Sequence, residues 1–341
     1  MTSLDRLLVA AIAMGTQTRA VSPTSGYAQA ARVSASRRYR ICPCLFLVLP
    51  GVLQACSANT APVGQPQVQI ESGTRTTSAG DTIAYDLFIP VASAKPPQPP
   101  WPAVVLNHGF GRNKEKHYNN ALYMAERGIV VLTPNQVSLL TGEQGQLRNI
   151  ANTVDHVHWL KDRTANPSDR LAGQIDPNRV GLAGHSAGGA ISFEATIDLQ
   201  NIGELPAALV LLDAVPWART IVRAGELLPL PMSSLRSEPS SCNSQGAVLD
   251  LLNGLAFPLE DVLIVDGTHC DPENPTDGLC SVPCGQASSQ RQAIYQNLMY
   301  LFFQDAFRRA PAGQPSETYE AAVRKLESQG QITVSATKGR P

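Results

Sequence analysis

Residues 179–193 read RVGLAGHSAGGAISF, and this stretch decides the fold. Arg179 to Ala183 has the short apolar character of a buried strand, and from Ser186 to about Leu199 the apolar and small residues follow a helical pattern. Between them Gly184, His185, Ser186, Ala187 and Gly188 form a GxSxG at a strand-to-helix junction. A serine at so sharp a turn sits in strained backbone and points outward from the strand end. Glycines two before and two after it are needed because a Cβ at either place would meet the neighbouring strand or helix, and Gly189 adds clearance. The turn also sets Ser186 at a helix N-terminus, where free N–H groups and the helix dipole favour developing negative charge.

Outward from this junction the periods alternate. Upstream lie a strand near Asp81 to Ile89, a Pro-rich turn KPPQPPWP, an apolar run AVVLN at 103–107, a helical pattern at 114–127, a strand at 129–133 and a helix near 147–161. Downstream come strands at 208–212, near 232–235 and at 262–265, with helices at 247–255 and 290–307. Strand and helix in regular alternation predict an α/β fold: a mostly parallel central sheet with helices on both faces. After residue 310 the pattern reads as one short helix at 317–326 and a polar tail.

A serine needs a base before it is a useful nucleophile. Of the six histidines (108, 117, 156, 158, 185 and 269) only His269 lies beyond the junction, just after the last predicted strand in VDGTHCD. A loop at the carboxyl end of the sheet would present it to Ser186. Candidates for the acid that orients its ring are Asp213, after the strand ALVLL, and Glu238, in SLRSEPSSCN after the next one. Asp213 is favoured and Glu238 is the alternative, because acid position varies while the geometry of such a relay holds. Asp266 and Asp271 sit too close to His269 along the chain and read as turn residues. The turn after the 103–107 run, Asn107 to Gly111 (NHGFG), nominates the backbone N–H of Phe110 for an oxyanion hole, with that of Ala187 as its second donor. His108 then packs under the turn and is not the base.

The strand followed by NHGFG, the GHSAGG turn, LLDAVPW and the later GTHCD together resemble an α/β-hydrolase, in the branch that includes plasma platelet-activating-factor acetylhydrolase and chlorophyllase. The resemblance runs over roughly residues 80–307 in order and spacing. It implies a serine hydrolase of carboxylic esters, with no cofactor, in which the acid follows the strand after the nucleophile helix in a short LD motif matching Leu212 and Asp213. A binding protein that kept the fold without turnover and an acyltransferase with the same residues are the alternatives. The segment AVPWARTIVRAGELLPLP at 214–231 is short where lipases often carry a large lid, so an open cleft is expected. Trp217 belongs to its wall or to the core, and Arg219 and Arg223 read as solvated surface charges.

The chain of 341 residues carries 27 Lys+Arg and 28 Asp+Glu, which excludes the basic footprint of a nucleic-acid binder. Residues 41–55, ICPCLFLVLPGVLQA, follow Arg37, Arg38 and Arg40 and read as an export signal too short to span a membrane. Ala55, Cys56 and Ser57 resemble a bacterial lipobox with Cys56 as the lipidated residue, and initiation at Val33 would put the arginines at the start. The expected organisation is a leader at 1–55, a tether and first strand region at 56–80, a catalytic domain at 81–310 and a C-terminal helix and tail at 311–341. The leader holds six arginines and one acid, so the rest keeps 21 basic and 27 acidic residues, a net charge of −6. Of seven cysteines, Cys42 and Cys44 fall in the leader and Cys56 in the lipobox, leaving Cys242, Cys270, Cys280 and Cys284 for two disulfides. The expected pairs are Cys242 with Cys270 and Cys280 with Cys284. A zinc site built from these cysteines with His269 lacks a usual ligand spacing, so no metal is expected. A monomer exported from a bacterial cell, membrane-bound only through a lipid, and acting on a small-molecule or lipid ester is the sum of these expectations.

Overall fold

Strand β1 (Val68–Thr76) and β2 (Thr82–Pro90) form an antiparallel pair that leads into β3 (Trp101–Asn107) and β4 (Val130–Pro134). The computed structural model describes residues 68–92, 98–137, 142–308 and 318–337, so the leader, Cys56 and most of the tether lie outside the described residues. β5 (Ile175–His185), β6 (Leu209–Leu212), β7 (Met232–Arg236), β8 (Glu260–Ile264) and β9 (Ile332–Ala336) complete a nine-stranded sheet of order β1-β2-β4-β3-β5-β6-β7-β8-β9. The six strands from β4 to β8 in that order are parallel to one another, and the outer pairings β1/β2, β2/β4 and β8/β9 are antiparallel.

Helices cover both faces, as the alternating pattern predicts: α1 (Tyr118–Ala125), α2 (Glu143–Ala165), α3 (Ala187–Asn201), α4 (Ala218–Arg223), α5 (Val248–Asn253), α6 (Gly278–Cys284), α7 (Ser289–Phe307) and α8 (Tyr319–Ser328). β3 shows why its run is apolar throughout. Ala103 and Val105 join Leu160 and Phe193 in the core on one face, while Val104 and Leu106 join Met124 and Phe303 on the other. A strand buried on both faces needs no polar alternation.

Three parts of the sequence reading change. The C-terminal segment is not a polar tail, because residues 332–336 pair with β8 in the register Glu260↔Ala336 to Ile264↔Ile332. The cysteine-rich stretch after His269 folds into α6, which the pattern did not announce. Arg223 is also not a solvated charge: its largely buried side chain reaches the fully buried Glu194 carboxylate at 3.1 Å, which the partly exposed Arg219 meets at 3.0 Å and to which Thr220 Oγ1 donates at 2.6 Å. A buried carboxylate must be paired, and these arginines supply the partners.

The chain order decides where a site can form. β3 leads outward to β4, and the chain then returns to lay β5 on the other side of β3. That reversal opens a crevice at the carboxyl ends of β3 and β5, where Asn107–Gly111 and Ser186 lie.

Candidate active site

Ser186 follows the last residue of β5 and precedes the first of α3, with φ 57° and ψ −124°. Such a conformation persists in a residue other than glycine only where its surroundings impose it. Here they do: a Cβ on Gly184 would lie 2.1 Å from the Gly188 carbonyl oxygen, and one on Gly188 would lie 2.4 Å from that of His108. The turn is therefore packed backbone against backbone, and Ser186 Oγ projects from it.

His269 Nε2 lies 3.0 Å from Ser186 Oγ, and its Nδ1 lies 2.6 Å from Asp213 Oδ2. Asp213 directly follows β6 at φ 42° and is 1% exposed. Its carboxylate also accepts from Ser237 N at 2.9 Å, Ser237 Oγ at 2.6 Å and Asn243 Nδ2 at 3.3 Å. Burial alone would raise its pKa, but the hydrogen bonds from His269 and Ser237 prevail and hold it below the usual carboxylate range. The ionised carboxylate fixes His269 as the tautomer with Nδ1 protonated, so Nε2 presents its lone pair to the serine hydroxyl. Glu238 stands apart: its backbone N–H donates to Gly267 and its carbonyl accepts from Asn243, but His269 meets Asp213.

Ser237 and Asn243 escaped the sequence reading. Ser237 is the first residue after β7, and it hydrogen-bonds Asp213 at the end of the neighbouring strand. Asn243 lies in a short 3-10 turn, Ser241–Asn243.

Gly109, Phe110, Gly111, Ser186, Ala187, Val215, Trp217 and His269 line one cleft of about 530 Å³, with Arg112, Leu279 and three of the cysteines along its remaining side. Ala187 begins a helix, so its N–H has no intrahelical acceptor. The nominated oxyanion donors thus border the same space as the serine and the imidazole. Trp217 lines this cleft while also packing against the core, so both expectations for it hold. His108 is buried under the turn. Its Nδ1 donates to Gly109 O at 2.8 Å and its Nε2 accepts from Gln136 N at 3.1 Å. Burial pushes its pKa down to about 4, which keeps it neutral.

An ion-pair cluster joins the turn at 109–112 to the segment after His269. Arg112 grips the buried Glu273 with two bonds, Nε to Oε1 at 2.7 Å and Nη2 to Oε2 at 2.8 Å, and also reaches Asp277 at 2.7 Å. Asp277 is bound by Lys116 as well and caps α6 by accepting from Leu279 N at 3.0 Å. Hydrogen bonds from Lys116 and Arg112 hold the Asp277 carboxyl far below its usual range. Asp271 accepts from Thr268 N at 2.7 Å and from Arg291 at 2.6 Å, which closes the turn around His269.

The disulfides differ from the expected pairs: Cys242 is bonded to Cys284 and Cys270 to Cys280. Cys280 and Cys284 are four residues apart on α6, which puts both on one face of a helix. That face meets the 241–243 turn and the His269 loop, so each cysteine bonds across to a different segment. The Sγ atoms of Cys270, Cys280 and Cys284 lie within 4.8 Å of one another. All are committed to disulfides, so they offer no thiolates for zinc. Two disulfides belong to an extracytoplasmic, oxidising environment. Among the described residues no helix is long and apolar enough to cross a membrane.

The family model described as chlorophyllase matches residues 66–256, a span that includes the 107–111 turn, Ser186 and Asp213 and stops short of His269. Among solved structures, a ferulic acid esterase from Streptomyces cinnamoneus is similar with a TM-score of 0.56 at 17% identity, covering 81% of this chain and 98% of that one. At that identity the likeness speaks to the fold. No curated protein matches.

Proposed function

The chain belongs to the chlorophyllase family within the α/β-hydrolase superfamily, and from that premise we propose that it hydrolyses carboxylic esters with Ser186 as nucleophile, His269 as base and Asp213 as the acid that orients it. One observation carries the reading: the continuous hydrogen-bonded line from Asp213 through His269 to Ser186, ending in a cleft.

The steps follow from the geometry. His269 Nε2 takes the Ser186 proton as Oγ attacks the ester carbonyl carbon, and the developing oxyanion is received by the N–H groups of Phe110 and Ala187. The imidazolium, steadied by the Asp213 carboxylate, returns the proton to the departing alkoxide, leaving an acyl-Ser186. Water, deprotonated by His269, then attacks that acyl group, and as the bond to Ser186 Oγ breaks the imidazolium returns the proton to Oγ, releasing the acid and restoring the serine. Ester hydrolysis is also the chemistry shared by the names of the family and of the structural neighbour. The disulfides support an extracytoplasmic location, and lipidation at Cys56 would tether the enzyme to a membrane.

The test is turnover of p-nitrophenyl esters of rising chain length by the wild type and by Ser186→Ala. The reading predicts wild-type turnover that falls by at least about 10⁴-fold in the variant. Equal rates for the two proteins, or no wild-type turnover on any ester of the panel, would refute it.

A further inference from the structure

His185, the residue before the proposed nucleophile, takes no part in the steps above, yet its ring is enclosed beside the base. It ends β5 and is 2% exposed. Its Nε2 lies 2.8 Å from the backbone carbonyl oxygen of His269, and because a carbonyl only accepts, Nε2 carries the proton and donates. The two rings lie 4.7 Å apart, inclined at 44°. A Cβ on Gly109 would come within 3.2 Å of His185 Nδ1 and 3.1 Å of Ser186 Cβ, so the same ring also backs the 109–112 turn. His185 Nδ1 is 3.8 Å from Glu273 Oε1, whose carboxylate is held by Arg112.

The topology explains why the base needs such a contact. His269 follows β8, which is three strands away from β5 in the sheet, or roughly 14 Å at about 4.8 Å per strand. Its loop must reach back over the ends of β6 and β7 to meet Ser186. Apart from the ring bonds of His269 to Ser186 and Asp213, the other bonds that leave residues 265–271 run elsewhere: Val265 N to Gln331, Gly267 O to Glu238 N, Cys270 to α6, and Asp271 to Ser288 and to Arg291 on α7. Among the described residues, the His185 bond is the one that ties the backbone of this loop to β5.

We propose that His185 is a positioning residue for His269: its Nε2–H holds the His269 carbonyl and so fixes the base at bonding distance from Ser186 Oγ. This rests on the reading of Ser186 and His269 as nucleophile and base. The choice of imidazole also fits the electrostatics. Burial first, and the nearby His269 second, push the His185 pKa down to about 3, so His185 is a neutral donor. A lysine or arginine could donate to the same carbonyl, but would set a fixed positive charge against the imidazolium that forms on His269 during the reaction. Glutamine could supply a neutral donor at a similar reach.

The test compares His185→Gln with His185→Met, side chains of similar length and volume that differ in having a donor. Both are assayed on p-nitrophenyl butyrate at a temperature where all proteins are folded. We expect His185→Gln to keep kcat within about fivefold of wild type, since a neutral hydrogen bond of similar strength is restored. We expect His185→Met to lose about 10- to 100-fold in kcat, the cost of a misplaced catalytic group, with KM changed by less than about threefold. Amide hydrogen exchange at residues 266–271 gives a readout independent of turnover and should be faster in His185→Met than in His185→Gln. Equal kcat and equal exchange in the two variants, or a loss confined to KM, would overturn the proposal. If the wild type shows no turnover that Ser186→Ala abolishes, the functional reading itself fails, whatever His185 does.

Discussion

Asp213 is a buried carboxylate whose described partners include no lysine or arginine. Its charge is held by His269, the two donors of Ser237 and the Asn243 amide. These donors keep the carboxylate ionised, and in the proposed mechanism its effect runs along one bond, to His269 Nδ1. Replacing Asp213 with asparagine removes the charge and permits the wrong imidazole tautomer, so Asp213→Asn is expected to lower kcat by about 10⁴-fold. Glu238→Gln should leave kcat unchanged, because its carboxylate does not meet the ring. A fully active Asp213→Asn, or an inactive Glu238→Gln, measured on one soluble ester would contradict this assignment. Ser186 and His269 were legible in the sequence for different reasons: the serine through the glycine spacing that its turn demands, the histidine because no other follows it. Ser237 and Asn243 were not legible, since a serine after a strand and an asparagine in a turn are ordinary there, and their role depends on two strand ends meeting in space.

Helix α6 is the element in which the sequence reading and the structure differ most. Seven residues containing Pro283 carry no helical period long enough to announce themselves, and disulfide pairing follows from which way that helix faces. By contrast α3 was legible to within two residues at either end, and β5 in its apolar part at 179–183, because an apolar strand, a glycine-bounded serine and a buried helix are local patterns; the earlier residues of β5, from Ile175, carry Asp176, Pro177 and Asn178 and no such pattern. β9 was missed because its residues, ITVSA, alternate over too short a run, and pairing with β8 makes them a strand. The two disulfides do different work, and their removal should separate. By chain entropy, the bond spanning 42 residues (Cys242–Cys284) contributes roughly 4 kcal/mol and that spanning 10 (Cys270–Cys280) roughly 3. Cys270 adjoins His269, whereas Cys242 and Cys284 border the cleft wall. Cys242→Ser with Cys284→Ser should therefore give the larger drop in melting temperature, and Cys270→Ser with Cys280→Ser the larger drop in kcat. The same double variant leading in both measurements would contradict this division.

At the scale of the molecule, four buried histidines make stability sensitive to acid. Burial pushes His108 down to about 4 and His117, His156 and His185 down to about 3, against an unfolded value of 6.5. Below pH 6.5 the unfolded chain takes up protons that the folded chain refuses, so the stability these groups contribute is present above pH 6.5 and is lost as pH falls from there toward 3. The lowered carboxylates Asp213, Asp277, Asp155 and Asp169 contribute stability that is present above their unfolded value of 3.8 and lost below it. Thermal melting followed across pH 8 to 4 should show the midpoint level down to about 6.5 and then falling, before the carboxylates titrate. A midpoint level to pH 4 would show that these histidines are not buried neutral. The parallel sheet, with its reversal between β3 and β5, brings the 107–111 turn, a serine and a distant histidine to one cleft, and the central claim is that this cleft hydrolyses esters through Ser186. Its most direct measurement is titration with a fluorophosphonate, followed by peptide mass mapping and residual ester turnover. The account predicts one adduct per chain, located on Ser186, with turnover lost in proportion to labelling. An adduct on another residue, or turnover that persists in fully labelled protein, would contradict it.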